Sequence, residues 1–381
     1  MSPADERFMR LALALGARAL GASWPNPAVG CVIVRDERIV GRGWTGPGGR
    51  PHAEAVALAR AGAAARGATA YVTLEPCAHH GQTPPCCEAL VAAGIARVVV
   101  AMLDPDPRVD GRGVAALRAA GVAVEVGCLE REAQRAHAGF ASRIRLGRPS
   151  VTLKLATSLD GRIAAASGAS RWITGPRARA RAHLLRAEHD AVIVGSGTAL
   201  VDDPELTCRL PGMGDRQPVR IVFDRRLRLG PDSRLARTTA LGPVWLLTRT
   251  DAEDARAAAL RARGVVVLEL SADEESWLER ALALLAERGI TRTLVEGGGR
   301  LAAALLRAGL VDRLALFQAP IVIGSDGLDW AGALGLASPE RAARWTVREE
   351  ARLGEDRYLL LEPVARSAER AGEGTSCSPG S

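Results

Sequence analysis

Apolar and polar positions alternate along this chain in short blocks, and the block lengths predict helices and strands by turns. Residues 4–20 carry apolar side chains at helical spacing behind an acidic start, which predicts a helix and neither a signal peptide nor a membrane span. After it, AVGCVIV, ATAYVTL, RVVVAM and VAVEV read as strands, while AEAVALARAGAAA, CEALVAAGIA, GVAALRAAG and a stretch from Glu130 read as helices. Such alternation predicts a sheet covered by helices on both faces. The basic segment RIRLGRPS, punctuated by Gly147 and Pro149, is where a domain boundary is expected.

Beyond it the alternation restarts. SVTLKLATS, DAVIVGS, PVRIVFD, GPVWLLT, VVVLEL, TRTLVEGGG and DRLALFQAPIV read as strands, and RARARAHLLRAEH, ARAAALRARG, WLERALALLAERG and RLAAALLRAG as helices. The expected division is therefore an α/β domain over 1–147 and a second α/β domain over 148–365. A polar, Gly/Ser-rich tail over 366–381 is expected to be disordered. No motif recurs between the halves, which excludes an internal repeat.

Composition changes this picture little and narrows the function. With 381 residues, 48% hydrophobic and 24% charged, the chain reads as a two-domain globular enzyme. Its net charge of +7 is dispersed over helical segments, and aromatics make up only 3%, too few for a nucleic-acid stacking platform. A small anionic substrate is expected, with no nucleic-acid or membrane partner. Seven cysteines, an odd number, point to reduced thiols and a cytoplasmic setting. Lys154, within VTLKLA, is the only lysine, so the basic residues are otherwise arginine.

The chemistry concentrates in two short motifs. PHAEA sets His52 and Glu54 two residues apart at a helix start, and the strand ATAYVTLEP ends at Pro76-Cys77. A proline-bounded loop then leads to Cys86 and Cys87, either of which could complete a set of one imidazole and two thiolates. Three protein ligands leave the fourth position of a zinc ion open to water, whose pKa the metal lowers towards neutrality. Glu54 is placed to move protons, and the order His-x-Glu followed by Pro-Cys is a signature of zinc nucleobase deaminases. Two rivals share parts of this pattern: an RNA-editing deaminase and a zinc-stapled binding module. The first lacks its aromatic groove, and the second would leave Glu54 idle.

In the second half, VIVGSGT and TLVEGGGRLAAALL each run strand, glycine turn, helix start, where free N–H groups favour a phosphate. Neither is GxGxxG, which disfavours a conventional dinucleotide fold. Lys154, flanked by apolar neighbours, is expected to act on the substrate of this second half, with a solvated sheet-end lysine as the alternative.

At WPNPAVGCVIV, PHAEA, ATAYVTLEPCAHHGQTPPC and AMLDPDP the chain resembles the bifunctional riboflavin-biosynthesis enzymes, a pyrimidine deaminase fused to a reductase. KLATSLDGRIA, SGASRWIT, VGSGTALVDDPELTCR and LVEGGGRLAAALL extend the resemblance through the second half. It implies a cytidine-deaminase-like three-layer α/β/α domain, a dihydrofolate-reductase-like α/β domain, and Zn2+ and NADPH as cofactors. It also implies His52, Cys77 and Cys86 as metal ligands, Glu54 as proton carrier, and Asn26, His79 and Asp104 as substrate contacts in the deaminase pocket. Gln82 and Asp106 depart from the family's usual residues. In the reductase, Ala156, Trp172, Thr198, Asp202, Gly298, Gly299, Arg300, Leu301, Ala302, Ala303 and Ala304 would face the nucleotide. Ser170, Arg186, Leu206, Arg209 and Glu296 would face a phosphorylated pyrimidine, with Arg186 and Arg209 suited to grip its phosphate. A homo-oligomer is the expected assembly.

Overall fold

The computed structural model of the chain describes residues 1–80, 84–249, 255–271 and 276–364, so Gln82 and the tail expected over 366–381 lie outside the described residues. Five strands, β1 (Gly30–Arg35), β2 (Arg38–Trp44), β3 (Thr69–Val72), β4 (Arg97–Val100) and β5 (Ala123–Val126), form the first sheet in the order β2-β1-β3-β4-β5. β1 runs antiparallel to both its neighbours, and β3, β4 and β5 are mutually parallel. The helices around it are α1 (Pro3–Gly16), α2 (Ala53–Ala61), α3 (Cys86–Ala92), α4 (Arg112–Ala119), α5 (Glu130–Ala136) and α6 (Ala138–Leu146). Because side chains alternate across a strand, Cys31 and Ile33 of β1 enter one core with α2, α3 and α4, and Val32 and Val34 enter another with α1 and α5. That gives the three α/β/α layers.

Strand β2 is not apparent in the sequence pattern, because Gly41 and Gly43 interrupt its apolar run. Both glycines are needed by what lies above them. A Cβ on Gly41 would collide with the Ala57 carbonyl, and one on Gly43 with the Ala53 carbonyl. Helix α2 therefore packs directly onto the β2 backbone, and His52 and Glu54 at its start inherit a rigid base.

The second sheet has nine strands: β6 (Ser150–Thr157), β8 (Ala191–Gly195), β9 (Val219–Phe223), β10 (Val244–Arg249), β11 (Val266–Leu270), β12 (Arg292–Val295), β13 (Arg313–Gln318), β15 (Trp345–Leu353) and β16 (Asp356–Pro363). Their order is β11-β10-β9-β8-β12-β6-β13-β16-β15, and β7 (Arg162–Ala164) pairs separately with β14 (Leu328–Asp329). The first seven strands of that order are parallel, and the final hairpin joins antiparallel. Helices α7 (Pro176–Glu188), α8 (Ser196–Asp202), α9 (Arg234–Arg237), α10 (Ala255–Ala262), α11 (Trp277–Glu287) and α12 (Gly299–Arg307) cover its two faces. α11 and α12 close a core with Val151, Leu153 and Leu155 of β6, while α7 and α10 close the opposite one with Val192 and Val194 of β8. The closing hairpin is invisible to hydrophobic patterning because β15 is largely exposed along its length.

Helix α1 is pinned to the first sheet by one carboxylate. Ser2 and Asp5 form a reciprocal capping box, and the buried Asp5 also accepts from Tyr71 Oη at 2.9 Å and from Arg97 Nη1 at 2.8 Å. The Arg97 guanidinium, chiefly, holds the Asp5 carboxyl well below the usual carboxylate range against the opposing effect of burial. A depressed carboxylate stabilises the fold above its unfolded pKa and loses that contribution as pH falls through the folded value. Asp5→Asn is expected to lower stability at neutral pH by about 2 kcal/mol, measured as a reduced urea midpoint, with the gap to the parent closing below about pH 4.

Candidate active sites

Three elements meet at one end of the first sheet. His52 is the N-cap of α2, Cys77 follows β3, and Cys86 opens α3. Their ligand atoms all lie within 4.8 Å of one another, with His52 Nδ1 3.2 Å from Cys86 Sγ and 3.7 Å from Cys77 Sγ. A tetrahedral zinc ion bound by one nitrogen and two sulfurs holds those atoms roughly 3.5–3.8 Å apart, so the donor set fits zinc in both chemistry and span. Cys87 turns into the apolar core and is the cysteine left off the cluster, while its N–H donates to the Cys77 carbonyl at 3.2 Å. His79 and His80 are exposed, and His80 Nε2 pairs with Glu88 at 3.0 Å.

The protonation of the cluster follows from its crowding. The Cys86 thiol, foremost, holds the Cys77 sulfur down to about 4, and that thiolate together with burial pushes Cys86 far up. Two sulfurs competing for one proton beside a raised imidazole is an arrangement that a divalent cation relieves, because both can then ionise. Glu54, in the first turn of α2, is 4% exposed and hydrogen-bonds with Cys86; burial pushes its carboxyl up to about 6.

Around this centre the candidate substrate contacts are distributed unequally. Asn26 donates from Nδ2 to the Gly48 carbonyl at 3.2 Å, in the loop that leads into His52. Asp104 is buried, and burial pushes its carboxyl up to about 7 with the charges of Asp106 and Glu75 adding to the rise. His79 is near enough for its charge to act on Asp106, which grips Arg108 through both oxygens. Glu75, which the sequence reading passed over, organises this region. Its buried carboxylate accepts from the backbone N–H groups of Asp104 at 3.2 Å, Gly111 at 2.9 Å and Val114 at 3.0 Å. The sequence signal was its position directly before Pro76-Cys77, an acidic residue closing an apolar strand.

The second sheet carries a cavity of about 710 Å³ at the carboxyl ends of β6, β8 and β12. Lys154, Ala156, Ser170, Trp172, Thr198 and Asp202 line it, as do Arg186, Leu206, Arg209, Glu296 and Gly298. Helices α8 and α12 begin there at Gly195 and Gly298, so their free N–H groups stand at the ends of the adjacent strands β8 and β12. Arg179 and His183 are further lining residues that share one face of α7 with Arg186 at i, i+4 and i+7, a stripe present in RARARAHLLR but obscured by its surplus of arginine. The Trp172 ring is 67% exposed and lies under Arg179, 4.5 Å from its centroid.

Two placements bear on what the resemblance implies. Ala302 and Ala303 are at most 2% exposed and Ala302 belongs to the core beneath α12, so their side chains are buried, and of the run from Gly298 to Ala304 it is Gly298 that lines the cavity. Arg186 lines the cavity, but its guanidinium is already engaged. Nε and Nη2 meet the Glu296 oxygens at 2.6 and 2.9 Å and Nη1 meets the Thr207 carbonyl at 2.9 Å, which leaves Arg209 the freer of the two for a phosphate. Burial alone would raise the Glu296 carboxyl, and Arg186 and Lys154 bring it down to about 2. Lys154 Nζ stands 4.0 Å from Glu296 and 5.7 Å from the Phe317 ring centre, with burial lowering its pKa, so its head is not the solvated one of an ordinary sheet-end lysine.

Removing the Glu75 carboxylate would strand three backbone donors. Glu75→Ala is expected to cost about 3 kcal/mol in chemical denaturation, with Glu75→Gln recovering part of it.

Comparison with known proteins agrees with this geometry. Residues 2–102 match the cytidine and deoxycytidylate deaminase zinc-binding region, and residues 149–356 match the RibD C-terminal domain. The riboflavin biosynthesis protein RibD of Escherichia coli is 44% identical over 94% of this chain and 99% of its own, and that of Aquifex aeolicus is 43% identical over 94% and 98%. Among solved structures, Acinetobacter baumannii RibD (form 1) superposes with a TM-score of 0.84 at 39% identity, covering 95% of this chain and 99% of its own. The Thermotoga maritima diaminohydroxyphosphoribosylaminopyrimidine deaminase/5-amino-6-(5-phosphoribosylamino)uracil reductase does so at 0.84 and 35%, with the same coverage. The chain belongs to the RibD family of riboflavin biosynthesis, bifunctional enzymes that join a zinc-binding deaminase unit to an NADPH-dependent reductase unit.

Proposed function

We propose that the chain deaminates 2,5-diamino-6-(5-phosphoribosylamino)pyrimidin-4(3H)-one over residues 1–147 and reduces the ribosyl group of the resulting uracil over residues 148–365. The observation that carries this reading is the convergence of His52, Cys77 and Cys86 beside the buried Glu54. His52, Cys77 and Cys86 would hold a zinc ion, which when bound would make a water nucleophilic near neutral pH. Glu54 passes one proton of the attacking water to the ring nitrogen and then carries the second, from the hydroxyl of the resulting tetrahedral carbon, to the departing amine, so that water is consumed, the carbonyl forms and ammonia leaves. Asn26, His79 and Asp104 orient the pyrimidine; a protonated Asp104 can donate to a ring acceptor, as its raised pKa favours.

The second unit would hold NADPH, which when bound would supply hydride for carbon one of the ribosyl group in its open-chain or imine form. The first turns of α8 and α12, with Ala156, Trp172, Thr198 and Asp202, would hold the nucleotide. Arg209 meets the substrate phosphate, Ser170 and Leu206 shape its seat, and Glu296 fixes both Arg186 and Lys154. Lys154 directs its ammonium to the ribose oxygens, and the contribution of the unit is mainly positioning. Thiol ligands suit a reducing cytoplasm, and the exposed outer strand β15 suits a homo-oligomer.

Incubating the purified protein with the diaminopyrimidine substrate is expected to release ammonia without NADPH, and to oxidise NADPH only once deamination has occurred. Glu54→Gln should keep its zinc and lose ammonia release by roughly a hundredfold or more; retained turnover would remove Glu54 from the chemistry. Lys154→Met should slow hydride transfer roughly tenfold or more while ammonia release continues, and a near-normal rate would leave Lys154 without a role.

A further inference from the structure

Residues 21–27, which carry Asn26, lie in the deaminase half of the sequence yet lean on the reductase half. Trp24 packs against the reductase core that contains Trp277, Leu282 and Leu285. Gly289, just past α11, receives it: a Cβ there would stand 3.0 Å from Pro25 Cβ and 3.6 Å from Trp24 Cε3, on a backbone with φ of 93°. Gly21 lies against the carbonyls of Ala187 and His189 so closely that no side chain would fit. Between these contacts Ser23 and Asn26 share a small cavity with Asp190, Thr291 and Arg292 of the reductase half.

On its other side the same segment holds the loop that leads to the metal ligands. Gly48 N donates to the Ala22 carbonyl at 2.8 Å, Asn26 Nδ2 donates to the Gly48 carbonyl, and a Cβ on Gly49 would overlap the Asn26 amide. His52 follows three residues later. The segment is therefore clamped between the reductase surface and the approach to the zinc ligands. A ring packed against a close-packed core cannot shift towards it without moving its neighbours, and displacement of a substrate contact by an ångström is costly.

We propose that Trp24 is a positioning residue for deamination, through which the reductase unit, at Gly289, sets where Asn26 stands and hence how tightly the other active site holds its substrate. The inference rests on the assignment of Asn26 to the deaminase pocket. It makes the two units one working body, since the reductase surface completes a site with which it shares no chemistry.

The test uses the full chain and compares Trp24→Ala, Trp24→Phe and Gly289→Ala by steady-state ammonia release, NADPH oxidation with the deaminated intermediate, zinc content and circular dichroism. Trp24→Ala is expected to raise the KM for deamination roughly tenfold with a smaller change in kcat, full zinc and unchanged reductase kinetics. Trp24→Phe should recover most of the loss, and Gly289→Ala, made in the other unit, should shift the same parameter in the same direction. A parental deamination KM in folded Trp24→Ala overturns the proposal, and so does an equal fall in both activities or a loss of zinc. If Trp24→Ala does not fold, Trp24→Leu and Gly289→Ala decide by the same criteria. Absence of ammonia release from the parent protein overturns the deaminase assignment as well, whereas release with a KM insensitive to these variants overturns the coupling alone.

Discussion

Two sulfurs and an imidazole nitrogen can share one ion only if a helix start, a strand end and a second helix start arrive at the same point, and this convergence governs the first half of the molecule. It is achieved by backbone proximity. Helix α2 descends onto the glycines of β2 until carbonyls touch where side chains would be, which fixes His52 and Glu54. The Cys86 N–H donates to Cys77 Sγ at 3.3 Å, and the Cys87 N–H to the Cys77 carbonyl, so the two thiol ligands hold one another in register. The cost of gathering ionisable groups in a buried place appears in the opposed shifts of Cys77 and Cys86 and the raised Glu54.

Carboxylates do comparable work in both units by different means. Glu75 satisfies three backbone donors and holds the loop of Asp104 without any cation nearby in its hydrogen-bond set. Glu296 instead faces Arg186 and Lys154 and keeps two buried cations in place at the cavity wall. The first organises backbone, the second charge. The resemblance points to Glu296 as a site residue, but neither carboxylate's partners can be read from residue type, because acidic residues at strand ends are common and those partners lie 29 to 39 positions away for Glu75 and 110 for Glu296 with Arg186.

The seam between the units is packed and hydrogen-bonded, not a flexible tether. Trp24 packs, partly buried, against the apolar cluster of the second sheet, Arg313 Nη2 donates to the Arg135 carbonyl at 3.1 Å, and Arg143 donates to the Ala286 carbonyl at 2.8 Å. With glycines at 21, 139 and 289 allowing close approach of the opposite unit, relative motion of the halves would have to break packing as well as hydrogen bonds.

Much of this was determined by the sequence itself. Period-two and helical spacing locate most strands and helices, since burial on one face imposes that spacing locally. His52, Glu54 and the Pro76-Cys77 corner declare a metal centre because few other roles need those residue types in that order, and the family resemblance, not the spacing, singled out Cys86 over Cys87. Tertiary structure alone decided the rest. It made a strand of the glycine-broken β2, turned Ala302 and Ala303 into the core, engaged Arg186 with Glu296, brought Glu75 to the Asp104 loop and set Trp24 against the neighbouring unit. Each of those outcomes depends on a contact between residues far apart along the chain, and local spacing carries no information about which distant surface a side chain will meet.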